Sequence, residues 1–240
     1  MKSVELKYST PLLEGKFIKR YKRFLADVRL KDGREITVHC PNSGSMKTCA
    51  EPGCPVIISD SQNPARKLRY TWEMIQMGRT WVGVNTMNPN VAVPEFIQAG
   101  KIPELAGYAT LKREVKYGKN SRIDALLSGG AKKRPECYVE IKNTTMRDGD
   151  FSAFPDARTE RGQKHLEELA RMVEQGKRAV MFFFIGRSDC KRFRPAYEID
   201  PEYGAALRDA ASRGVELLAY RMKFTLKGIE LLNRAEIVLG

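Results

Sequence analysis

Val180-Met181-Phe182-Phe183-Phe184-Ile185 is an unbroken run of large apolar side chains, with no polar residue at alternate positions. A strand with one face in water alternates with period two, so this run describes a strand covered on both faces. Such a strand needs a layer on either side, and its surroundings supply candidates. Upstream, residues 159–175 place Leu166, Leu169, Ala170 and Val173 at helical spacing, with Gly176 where a C-terminal cap belongs. Downstream, residues 202–212 read as a second helix, and 215–223 and 229–237 as strands. Further strands at 112–117, 122–127 and 137–143 make the C-terminal part an α/β unit.

The N-terminal part has a different texture. Residues 17–30, 34–40, 56–59, 67–76 and 80–84 are extended runs, and Asp32-Gly33 between the first two is a hairpin signal. So many strands in so short a stretch predict a small barrel, with the five-stranded oligonucleotide-binding (OB) type the choice for a basic example. At Asn88-Pro89-Asn90 the pattern turns helical over 91–98 and stops near Gly100. The reading is a mixed α+β chain of two domains, 1–86 a basic OB-like β-barrel and 87–240 an α/β domain.

The formal charge of the 240 residues is +13, and the pI is near 9.6. Residues 1–85 hold 15 Lys and Arg against 8 Asp and Glu, or +7, leaving 27 against 21, or +6, for the rest. A polyanionic partner follows, DNA first and RNA as the alternative. The opening residues form no apolar signal region and no run is long enough to span a bilayer, so the expectation is a soluble cytoplasmic protein with no membrane partner. Five cysteines without a disulfide-like pattern read as reduced thiols. Cys40, Cys49 and Cys54 with His39 lack the two-residue gap of a zinc knuckle.

Charges stand inside two otherwise apolar strands, in Ser121-Arg122-Ile123-Asp124-Ala125-Leu126-Leu127 and Tyr138-Val139-Glu140-Ile141-Lys142-Asn143. Period-two alternation puts Glu140 and Lys142 on one face, with Val139 and Ile141 on the other. Buried charges need a partner or a metal, and two carboxylates on neighbouring strands make a hard oxygen site for Mg²⁺, or Mn²⁺. Lys142 beside them is suited to orient an attacking water, and the set to phosphodiester cleavage. An internal salt bridge among Asp124, Glu140, Lys142 and Arg122 is the competing reading. Glu114 is a candidate third carboxylate.

Candidate nucleic-acid contacts are Lys19, Arg20, Lys22 and Arg23 in the barrel, Arg122 on a motif strand, and Arg161, Gln163 and Lys164 on the helix, with His165 nearby. Tyr21, Tyr70, Trp72 and Trp81 lie among barrel cations, a mixture that stacks single-stranded bases, although core positions fit the two tryptophans. The polar turn Pro41-Asn42-Ser43-Gly44-Ser45-Met46 and the basic turn Lys132-Lys133-Arg134 are further candidates for phosphate.

These residues carry a resemblance. The C-terminal pattern is similar to the PD-(D/E)xK nuclease superfamily. The whole chain, through His39-Cys40-Pro41-Asn42-Ser43-Gly44-Ser45-Met46, Tyr70-Thr71-Trp72-Glu73, Arg113-Glu114-Val115-Lys116-Tyr117-Gly118, Phe154-Pro155-Asp156-Ala157 and Arg161-Gly162-Gln163-Lys164-His165-Leu166, resembles the sugar fermentation stimulation protein A family. The resemblance implies an OB barrel joined to a nuclease-like domain, non-specific DNA binding and a regulatory role in sugar metabolism. It carries Asp124, Glu140 and Lys142 over as the nuclease-motif positions, with Glu114 as the accompanying acid, although the superfamily usually takes that acid from a helix.

Overall fold

The computed structural model describes residues 5–118, 121–130 and 134–240, so Lys132 and Lys133 lie outside the described residues. The chain opens with β1 (Glu5–Lys7) and enters β2 (Leu12–Tyr21), β3 (Leu25–Leu30), β4 (Glu35–His39), β5 (Pro55–Asp60), β6 (Tyr70–Met77) and β7 (Thr80–Gly83). These last six form one sheet in the order β4-β3-β2-β5-β6-β7. A parallel pairing of His39 with Thr71 joins β4 to β6 and closes five of them into the OB-type barrel. Its interior holds Phe17, Val28, Val38, Ile58 and Trp72, with Phe17 and Trp72 stacked at 4.7 Å between centroids.

Two readings of this half change. Residues 17–30 are not one run but two strands folded back at Lys22–Phe24, a turn without glycine or asparagine. Residues 5–7, counted with the barrel, pair instead with residues 228–230 in a larger sheet.

That sheet combines β1 with strands from the rest of the chain, which runs α1 (Asn88–Gln98), β8 (Thr110–Tyr117), β9 (Ser121–Ser128), β10 (Cys137–Thr144), β11 (Met146–Asp148), β12 (Phe151–Phe154), α2 (Glu160–Glu174), β13 (Arg178–Ile185), β14 (Arg192–Pro195), α3 (Pro201–Ser212), β15 (Glu216–Phe224), β16 (Gly228–Arg234) and β17 (Glu236–Ile237). The order is β1-β16-β15-β13-β10-β9-β8, parallel through β10, β13 and β15 and antiparallel outside them. A small second sheet, β11-β12-β14-β17, lies alongside.

The apolar run is buried on both faces, as its sequence demands. Val180, Phe182 and Phe184 pack with Ala92, Val93 and Phe96 of α1, and with Ile57 and Met74 from the barrel. Met181, Phe183 and Ile185 pack with Leu166 and Leu169 of α2 and Leu207 of α3. Each fully buried phenylalanine contributes roughly 1.5–3 kcal/mol, so barrel and α/β domain share one core. Helix α2 starts where Thr159 accepts the Gly162 N–H, and Gly176 follows its end at φ 75°. Among the described residues no helix is long and apolar enough to cross a membrane, and all five cysteines are free thiols.

Glu73 of β6 ties the barrel to the linker. Its buried carboxylate accepts from Ser59 Oγ (2.7 Å), from Asn85 Nδ2 (2.9 and 3.0 Å) and from Asn88 Nδ2 at the start of α1 (3.1 Å). Glu73→Ala orphans all three donors at once and costs about 2–4 kcal/mol. The expected melting-temperature drop is roughly 5–10 °C; an unchanged melting curve contradicts this role.

Candidate functional site

β10 sets Val139 and Ile141 against the α1 side of the sheet and turns Glu140 and Lys142 toward α2. Its ladder with β9 runs only from Cys137–Leu127 to Val139–Ala125. At the next position, where Asp124 would face Glu140, the strands part. The Asp124 carboxylate replaces the ladder: Oδ2 accepts the Ile141 N–H at 2.7 Å and Oδ1 accepts from Asn90 Nδ2 of α1 at 2.9 Å. Across β9, Glu114 occupies the bracketed position between the Arg113–Ala125 and Val115–Ile123 pairs, with φ 53°. Three strands therefore loosen at one level, and the site opens there.

Glu140 is 3% exposed. Its Oε1 has two partners: Lys142 Nζ donates at 2.7 Å, His165 Nδ1 is in direct hydrogen bond, and the two donors lie 3.2 Å from each other. Arg161 Nε donates to His165 Nε2 at 3.3 Å, which leaves the ring proton on Nδ1 for Glu140. Glu140 Oε2, by contrast, is buried and has no hydrogen-bond partner. Burial pushes the Glu140 carboxyl up, but His165 and Lys142 outweigh it and hold it below the ordinary carboxylate range. Asp124 goes the other way: burial first, then the Glu140 charge, push it up to about 7, with a smaller push from Glu114.

Above these groups lies a cleft of about 780 Å³ between barrel and α/β domain, lined by Asp124, Glu140, Lys142, Arg158 and Arg161 of the α/β domain and by Arg20 and Arg23 of the barrel. The 41–46 turn closes one side. Met46 N–H donates to Asp156 Oδ2 at 3.2 Å, and a Cβ at Gly44 would collide with the same carboxylate, so only glycine lets the turn approach.

The structure brings together Asp124, Glu140, Lys142, Arg20, Arg23 and Arg161. It does not bring Glu114 into the cleft; that side chain is exposed on β8. Arg122 is likewise exposed on β9, opposite Lys116. Gln163 turns away to donate to Asp200 Oδ1 at the start of α3 (3.3 Å), and Lys164 pairs with Glu168 (3.7 Å). Lys19 pairs with Asp27 (3.7 Å), and Lys22 stands exposed at the hairpin tip. The sequence reading missed Asn90 and Arg158, and assigned no role to His165. The signal for His165 was its place on the apolar face of α2, four residues after Arg161.

A divalent cation fits this donor set. Glu140 Oε2 has its lone pairs free, and the burial and Glu140 repulsion that together raise Asp124 are what a cation would offset. Among the described residues no three His, Cys, Asp or Glu side chains converge to cage an ion. Two carboxylates completed by water and phosphate are the habit of Mg²⁺.

Comparison with known proteins agrees with this architecture. The family model described as the SfsA N-terminal OB domain matches residues 18–84, and the sugar fermentation stimulation protein RE domain matches 87–228. The sugar fermentation stimulation protein homolog of Geotalea uraniireducens is 51% identical over 227 residues, covering 95% of this chain and 97% of that protein. That of Geobacter sulfurreducens is 51% identical over 230 residues, covering 96% and 97%. The solved structure of Pyrococcus furiosus SfsA in complex with Ca²⁺ superposes with a TM-score of 0.88 at 29% identity, covering 99% of both chains.

The Asp124 shift has a measurable sign. Its carboxyl sits at about 7 in the fold against 3.8 for an unperturbed side chain, so its contribution to stability is complete below pH 3.8 and is lost as pH rises through about 7. In metal-free protein, Asp124→Asn should therefore gain melting temperature over wild type more at about pH 8 than near pH 5. A mutant-to-wild-type difference that does not change with pH contradicts the assignment.

Proposed function

The chain belongs to the sugar fermentation stimulation protein family, and from that membership and the cleft we propose that it binds DNA without sequence preference and cleaves phosphodiester bonds with Mg²⁺ or Mn²⁺ held by Asp124 and Glu140. The observation that carries this reading is Glu140 Oε2, a buried carboxylate oxygen with no protein partner, on the residue just past the point where β9 and β10 part. A protein that needed only a salt bridge there gains nothing from leaving that oxygen bare. The Ca²⁺ complex of the Pyrococcus furiosus relative supports an oxygen-seeking divalent cation.

The bound cation would supply an activated water and offset the charge developing on phosphate. The chain's own groups do the rest. Asn90 and the Ile141 N–H fix the Asp124 carboxylate, while His165 and Lys142 fix Glu140 through one oxygen and leave the other for the ion. Lys142 Nζ, with donors to spare, is suited to hold the attacking water by a hydrogen bond. Arg20, Arg23, Arg158 and Arg161 line the cleft as phosphate contacts, positioning the backbone without reading bases.

One observation favours a second reading, a non-catalytic DNA-binding regulator linked to sugar metabolism. Lys142 Nζ at 2.7 Å from Glu140 is also the geometry of a strut. Calorimetric titration separates the two. The nuclease reading expects wild type to bind Mn²⁺ and Mg²⁺ and to nick DNA. Asp124→Asn and Glu140→Gln should lose both properties while holding DNA as tightly or more tightly, since a charge facing phosphate is gone. Lys142→Ala should bind metal without cleaving, and His165→Ala should bind Mn²⁺ about tenfold more weakly. A wild type that takes up neither ion, even with DNA present, overturns the nuclease reading.

A further inference from the structure

Phe24 is 49% exposed at the tip of the β2–β3 hairpin. The two residues before it, Lys22 and Arg23, both have left-handed backbones, at φ 49° and 61°. The Phe24 N–H donates to the Lys22 carbonyl at 2.7 Å, so the chain reverses in a γ-turn about Arg23, a rare and strained geometry. Glycine or asparagine ordinarily takes such positions. Here two long cations and a phenyl ring take them, and a strained turn that presents such groups to solvent marks a contact surface.

The tip is braced from below. Arg20 Nε donates to the Arg23 carbonyl at 3.0 Å, and Arg20 Nη2 donates to the Asn42 carbonyl at 2.7 Å. Cys40 N–H donates to the Phe24 carbonyl at 2.8 Å, fixing the residue that carries the ring to the strand leading into the 41–46 turn. Thr86 Oγ1 donates to the Pro41 carbonyl on the same segment, and Met87, 64% exposed, follows it. Two exposed apolar side chains therefore stand beside the cleft that Arg20 and Arg23 line. Lys19, three residues before Lys22, is paired with Asp27, whereas no carboxylate pairs with Lys22 or Arg23 among the described residues.

Two of the aromatic side chains that the sequence offers for stacking are engaged within the barrel. Trp72 is fully buried against Phe17, and the Tyr21 hydroxyl donates to Asp27. An exposed ring beside the unpaired cations Lys22 and Arg23 matches the alternation of base and phosphate along a nucleic acid strand better than it matches an apolar protein surface.

We propose that Phe24 is a base-stacking residue, lying against the face of an unpaired DNA base whose flanking phosphates are held by Arg20 and Arg23. The proposal rests on the nucleic-acid reading above and adds the element that holds a base, where the cleft cations hold only backbone. It implies a preference for single-stranded or locally opened DNA at the hairpin side of the cleft.

The test uses the full chain and a single-stranded DNA of roughly 12 nucleotides, within the usual site size, carrying 2-aminopurine, whose fluorescence is quenched by stacking. Wild type should bind and quench. Phe24→Ala should bind about tenfold more weakly and lose the quench. It should keep the slope of log affinity against log salt, because no charge is removed. Phe24→Trp should restore affinity and quench, and Arg23→Ala should lower the salt slope by about one phosphate contact while keeping the quench. Phe24 is exposed, so the melting curve of Phe24→Ala should match wild type. A Phe24→Ala protein with wild-type affinity and quench, or a tryptophan variant that rescues neither, overturns the stacking role alone. A wild type that does not bind the oligonucleotide removes the nucleic-acid reading, and this proposal with it.

Discussion

Strand β13 has no face that can meet water, and both its covers are imposed by that fact. Helices α2 and α3 take one side; α1 and the flank of the barrel take the other, with Ile57 and Met74 entering the same cluster as Phe182 and Phe184. The barrel is thus part of the enclosure of the large sheet and not an appendage on a linker. Glu73 and the return of β1 to the far edge of that sheet fasten the same arrangement. The cleft exists because the barrel, held there by core packing, stands over the place where β9 and β10 separate. Geometry this dependent on shared burial resists the domain motion that small polar interfaces allow.

The two carboxylates show how the enclosure becomes chemistry. Both are removed from bulk water, yet they respond in opposite directions, because their partners differ. Glu140 meets two cationic or proton-bearing neighbours on one oxygen and stays ionised. Asp124 meets a backbone N–H, an amide and the Glu140 charge, and is pushed up. Such a pair is costly unless a third charge compensates it, and Lys142 is already committed to Glu140 Oε1. The unpaired Oε2 and the raised Asp124 both mark negative charge that the protein's own groups leave uncompensated.

Much of this was legible in the residues. The apolar 180–185 run, the helical spacing of residues 159–175 with Gly176 after it, the Asp32-Gly33 hairpin and the two charged strands gave the layers and put Glu140 with Lys142 on one face. What was not legible follows from physics that local pattern does not carry. The turn at Lys22–Phe24 lacks the residues that announce left-handed backbone, so two strands read as one. The strands of the small sheet, such as Arg192–Pro195, are too short and too charged to show a period. Asn90 and Arg158 reach the site from loops and a helix start far away in sequence, and Gln163 lost its assigned place because the α3 start offered Asp200. Glu114 was read correctly as a strand residue, but its left-handed backbone leaves the side chain outside the cleft while its charge still reaches Asp124.

The central claim is that the bare Glu140 oxygen and Asp124 together face a divalent cation. Anomalous diffraction from crystals of the wild-type protein grown with Mn²⁺ tests it directly. The account predicts one anomalous peak at metal–oxygen bonding distance, roughly 2.2 Å, from Glu140 Oε2 and from an Asp124 oxygen, with Lys142 and His165 still on Glu140 Oε1. A peak elsewhere, or electron density showing Glu140 Oε2 hydrogen-bonded to a protein donor with no ion beside it, would contradict the account.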